Sequence, residues 1–107
     1  MLIYIDFNKE LFPKEEIVRL TEIFQSIIEN IAKVENSVPT YASTYNTSRN
    51  IYPVEIFVKV SRIHFNKRKN FTENLKNGIV EWKKQNNFEH KVNLTIIPMD
   101  WELALDI

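Results

Sequence analysis

Five residues, Ile5-Asp6-Phe7-Asn8-Lys9, return 58 positions later as Ile63-His64-Phe65-Asn66-Lys67. Each copy closes an apolar, strand-like run and opens onto a run with helical spacing. Recurrence at matching joints predicts two copies of one strand–helix–strand unit, about 1–50 and 51–107. With 107 residues, the chain has room for one hydrophobic core and reads as a single domain.

The intervening segments agree with that plan. Leu2 to Phe7 is apolar on both faces, as in a central strand. Pro13 stands where a first helical residue would, with Glu15 and Glu16 behind it, acids suited to a helix N-terminus. Ile17, Leu20, Phe24, Ile27 or Ile28, Ile31 and Val34 then recur at helical spacing, predicting an amphipathic helix to about Asn36. A second strand is expected over Val38–Tyr45 and a turn over Asn46–Asn50. Tyr52 to Ile63 reads as a long strand. Its Val54, Ile56, Val58 and Val60 face one side, and Glu55, Phe57, Lys59 and Ser61 face the other. Asn70 with Glu73 suggests a capping box for a second helix, whose stripe is Phe71, Leu75, Ile79 and Trp82. Gly78, the one glycine in the chain, falls inside that helix, where it permits close packing. A fourth strand runs from Val92 to Ile97 and ends at Pro98. Beyond it Trp101, Leu103, Leu105 and Ile107 alternate with polar neighbours and Ala104, the pattern of an extended tail with one apolar face.

Composition narrows the chemistry. Formal net charge is zero, which argues against nucleic acid or an acidic membrane as partner. The absence of cysteine removes disulfides, thiolate metal sites and cysteine nucleophiles. His64 and His90 sit in separate contexts, so no metal site is expected. A single glycine excludes a glycine-rich phosphate loop, and no cofactor is indicated. No run approaches the roughly 20 apolar residues of a membrane span. Nothing near the start resembles a signal peptide, and the expected address is cytoplasmic.

The duplicated order, Tyr52-Pro53 leading into Val54–Phe65, Asn66-Lys67-Arg68 before a helix with Glu73 and Leu75, and the ending Thr95-Ile96-Ile97-Pro98-Met99 resemble the tautomerase superfamily. That group contains macrophage migration inhibitory factor and the hydroxymuconate isomerases. The resemblance implies an α+β fold of duplicated β-α-β units, with two helices packed on one face of a four-stranded mixed sheet. It implies a homotrimer with sites between subunits. It also implies isomerase chemistry of the tautomerase type, in which an N-terminal proline amine moves a proton next to a carbonyl. This chain begins Met1-Leu2, so conventional proline-dependent keto–enol activity is not expected, and the free amine is that of Met1. Lys67 stands where relatives carry an arginine that holds a substrate carboxylate, with Arg68 one step on. These two and His64 are the candidate binding residues for a small anionic ligand. A solvated charged turn accounts for the same cations, and a hydrogen-bonding surface histidine accounts for His64. The order β-α-β-β-α-β is also that of ferredoxin-like binding or regulatory modules, which differ in strand neighbours.

Overall fold

Strand burial alternates with a period of two, and it sets the whole layout. In the computed structural model, which describes residues 1–33, 39–45 and 52–100, β1 spans Leu2–Asn8 and β3 spans Val54–Ser61. Ile3, Ile5 and Phe7 are fully buried on the first, and Val54, Ile56 and Val58 on the second. The two run antiparallel, with Ile5 opposite Ile56. Strand β2 (Thr40–Tyr45) lies parallel to β1, and β4 (Val92–Met99) lies parallel to β3. The sheet order is β2-β1-β3-β4. Each strand–helix–strand unit thus joins adjacent parallel strands, whereas a ferredoxin-like sheet splits them. The strand neighbours exclude the ferredoxin-like alternative.

Helix α1 (Lys14–Ala32) follows from its apolar spacing, and it buries Leu20, Phe24, Ile28 and Ala32. Pro13 is its N-cap residue rather than its first residue, and Glu15 and Glu16 lie in the first turn. Lys33 ends the helix in the left-handed conformation. The expected stretch to Asn36 and the Val34 contact lie outside the described residues, as do Val38, the turn over 46–50 and the tail over 101–107. Helix α3 (Phe71–Gln85) buries Phe71, Leu75 and Ile79, and Trp82 packs against the same core. Its cap differs from the expected capping box. Asn70 adopts φ 56° and makes no side-chain cap bond, a conformation asparagine tolerates well. No helix of the described residues is long and apolar enough to cross a membrane.

A third helix was not expected. Strand β3 stops at Ser61, and Arg62–Lys67 forms a short helix, α2. Ser61 causes the switch, because its Oγ accepts a hydrogen bond from the His64 backbone N–H at 3.2 Å, an N-cap contact that starts a helix. Ile63, read as the last strand residue, is 69% exposed. The two five-residue copies are therefore not equivalent, since one ends a strand and the other is helical. Parity gives the reason. Buried apolar positions are odd-numbered in β1 and even-numbered in β3, so an even interval of 58 lays these positions on open ones. Strand ends match instead. Asn8 closes β1 and its Oδ1 accepts from the Glu10 N–H at 3.0 Å, as Ser61 closes β3. The counterpart of Asp6, two residues before the strand end, is Lys59 rather than His64. Pro98 also differs from expectation, lying within β4 opposite Val60. An edge strand tolerates a residue without an N–H.

The helices meet most closely at Gly78. A Cβ there would stand 2.3 Å from Ile31 Cδ1 and 3.2 Å from Ile27 Cγ2. Gly78→Val should destabilise the fold by about 1–3 kcal/mol through overpacking. Urea unfolding checks this, and an unchanged midpoint would show that the helices can part freely.

Candidate functional site

The site is best built from the register of the central strands. The pairing of β1 with β3 runs from Leu2 opposite Lys59 to Phe7 opposite Val54. Val60 and Ser61 overhang the start of β1, while β4 continues beside them with Pro98 and Met99. This step leaves a shallow pocket of about 130 Å³, lined by Met1, Leu2, Lys59, Val60, Ser61 and Met99. Its walls are mostly apolar, and Met1 itself packs against the core.

Lys59 belongs to the open face of the sheet. Its Nζ lies 5.0 Å from the centre of the Tyr4 ring, within the range of a cation–π contact. Tyr4 in turn stacks on Tyr41, with centroids 5.2 Å apart. Tyr41, from β2, thus joins this face as an aromatic neighbour of Tyr4. Asp6, one row further along, accepts a hydrogen bond from Ser43.

His64, Lys67 and Arg68 reach the same end of the molecule from the helix side. None of the three is among the pocket's lining residues. His64 packs edge-on against Phe71, with centroids 6.0 Å apart. Its Nε2 is buried and has no hydrogen-bond partner among the described residues. Desolvation, and then the charge of Arg68, push its pKa below the ordinary 6.5; the Ala32 backbone opposes this, and the amino terminus and Lys67 add to it. Burial is the larger reason that the imidazole resists a proton, and the charges of Arg68, the amino terminus and Lys67 add to it. Met1 lines the pocket together with Lys59, and its amino terminus is one of the charges that act on His64. Arg62, at the start of α2, pairs with Asp100 at 3.6 Å.

The sequence reading missed Lys59, Ser61 and Met99 as pocket residues. Their signal was present, because Lys59 and Ser61 share the open face of a strand whose other face is all valine and isoleucine. Larger grooves lie around Phe88 near the far ends of α3 and β1. One of about 500 Å³ includes Phe12, Glu16 and His90. His90 rests edge-on against Phe12 at 4.9 Å and Phe88 at 5.3 Å, a packed aromatic cluster remote from Met1.

The neutral His64 gives a signed pH dependence. In the unfolded chain the imidazole takes up its proton at about 6.5, whereas the folded chain takes it up only at lower pH. Stability should therefore fall as pH drops through the ordinary histidine value, and level off below the folded one. His64→Gln should flatten that part of the profile. If urea midpoints of the protein and the variant run parallel across the range, the burial of His64 does not matter energetically.

No family model matches the sequence, and no curated protein matches it significantly. Solved structures do. Malonate semialdehyde decarboxylase has been solved as wild type, with its first-position proline replaced by alanine, and inactivated. It superposes with a TM-score of 0.75 at 11% identity, over 97% of this chain and 91% of that one. Native Ps01740 superposes with a TM-score of 0.64 at 11% identity, over 97% of this chain and all of that one. Likeness at that identity speaks to fold alone, and it agrees with the strand order derived above. The chain has the tautomerase-superfamily fold.

Proposed function

We propose that the chain is a tautomerase-type protein that binds a small anionic molecule beside Met1 and lacks conventional proline-dependent keto–enol activity. The observation that carries this reading is the pocket at the first residue, a largely apolar recess with Met1 and Lys59 on its walls. Among the described residues that line it there is no carboxylate. An anion is the ligand such a field favours. His64, Lys67 and Arg68 act in this reading from the helix side, as a cationic rim that draws the anion in.

The malonate semialdehyde decarboxylase described above carries a proline at its first position, and its structures give a basis for its decarboxylase and hydratase activities. Here the same place holds methionine, whose primary α-amine is the group left to do chemistry. Any surviving catalysis would be proton transfer of the isomerase type, with that amine as the base.

The reading includes a homotrimer with the pocket at a subunit interface. Leu2, Phe57 and Ile97 are half-buried on the open face, and Tyr4 and Tyr41 are exposed there. An apolar sheet face without a covering layer suits association. Sedimentation should return the mass of three chains of 12.8 kDa; a monomer would remove the interface from the reading.

Phenylpyruvate tests the chemistry. The protein, with Met1 shown by intact mass to carry the free amine, should not speed ketonisation above the buffer rate. Clear turnover that disappears when the α-amine is blocked would show that methionine replaces proline as a working base.

A further inference from the structure

We infer that α2 is a proton-released latch: uptake of one proton by the His64 imidazole frees Arg62–Lys67 from the ends of α1 and α3 while the sheet stays folded. Release also breaks the cap contact made by Ser61, a wall of the Met1 pocket. The latch therefore governs that wall whatever the pocket binds.

Little else holds α2 in place. Six residues fall far below the length at which a helix is stable by itself. None of them is fully buried, and Ile63 is 69% exposed. Docking rests on two rings. His64 meets Phe71 edge-on at 6.0 Å, and Phe65 meets the same ring edge-on at 5.8 Å. Phe71 is buried at the start of α3. The third tie is the Ser61 hydroxyl on the His64 N–H. An element with so few buried contacts opens locally at far lower cost than the core.

One of the two docking rings can take a proton. Its Nε2 is buried without a hydrogen-bond partner among the described residues, so protonation in place would put charge on a ring with an unpaired buried nitrogen. The surrounding elements do not offset that charge. Lys67 of α2, Arg68 just after it and the amino terminus before β1 all oppose it, and the Ala32 backbone at the end of α1 favours it. Glu73, the acid in the first turn of α3, is not among the groups that act on the ring. Asp100, beyond β4, pairs with Arg62 instead.

The sign follows from these contacts. A released ring takes its proton at about 6.5, and burial holds the docked ring below that. The released state thus binds more protons. As pH falls below about 6.5, the ratio of released to docked α2 should rise by up to about tenfold per pH unit, until the docked value is passed.

Backbone and imidazole chemical shifts of the full chain, followed by NMR from about pH 8 to about pH 5, test the latch. The Cα shifts of Arg62–Lys67 should move from helical toward coil values in step with the His64 ring, while Ile5, Ile56 and Leu75 hold theirs. His64→Phe, which keeps a ring and cannot titrate, should leave α2 helical throughout. Phe65→Ala weakens docking and keeps the titration, so its midpoint should rise toward about 6.5. A His64 ring that titrates with α2 still helical would overturn the latch. Coil shifts reaching Ile5 and Ile56 at the same pH would overturn it too, since the event would be global unfolding. So would an identical transition in His64→Phe.

Discussion

The antiparallel seam between β1 and β3 is the constraint on which the rest depends. Ile3 faces Val58, Ile5 faces Ile56 and Phe7 faces Val54, and all six are fully buried under the helices. Each such side chain contributes on the order of 1.5–3 kcal/mol when removed from water. A slip of one residue would turn all of one strand's apolar set to the open face, so the register is fixed by burial and not by the turns. The outer strands then follow. Each lies parallel to its inner neighbour, and each unit must cross over by way of a helix. The overhang of Val60 and Ser61 past Leu2 is part of the same register, so the pocket at Met1 is a direct product of how the core is buried.

How much of this was legible in the sequence can be seen at particular positions. Helices α1 and α3 were, because Leu20, Phe24 and Ile28, and Phe71, Leu75 and Ile79, repeat at helical spacing over long stretches and nothing competes with that signal. The inner strand β3 was legible too, from the alternation of Val54, Ile56, Val58 and Val60. Helix α2 was not. Six residues are too short to show a period, and Ile63 and Phe65 extend the β-rich pattern as well as they fit a helical turn. What decides the matter is the Ser61 hydroxyl on the His64 N–H, a local contact whose only trace in the sequence is a serine at the end of a strand run.

The five-residue recurrence was informative about the fold, but its two copies do not occupy equivalent structural places. It pointed to duplication, and the sheet is duplicated. It also suggested that His64 stands where Asp6 does, which would have placed the cations after it in the pocket. The parity of the two strands was already visible in the positions of their valines and isoleucines, and an even interval cannot preserve it. Setting the strands by their ends brings Lys59 to the place of Asp6. There the two units diverge chemically. Asp6 is engaged by Ser43 on the neighbouring strand, while Lys59 leans on Tyr4.

That divergence bears on what the pocket can do. Proton abstraction beside a carbonyl needs a base that is neutral and held in place at the pH where it works. Carboxylate capture needs the opposite, a cation that stays charged in a recess with apolar walls. The residues around Met1 fit the second requirement better than the first. Lys59 lies over the aromatic face of Tyr4, and the described residues of the lining include no carboxylate. The one group that the local field holds neutral, His64, has its Nε2 shut away behind Phe71 and the end of α1, out of reach of a ligand in the pocket. With the proline gone, what the fold retains under the proposed reading is the anion-holding half of a tautomerase-type site. Burial disfavours a further proton on His64, and the charges of Arg68, the amino terminus and Lys67 add to that.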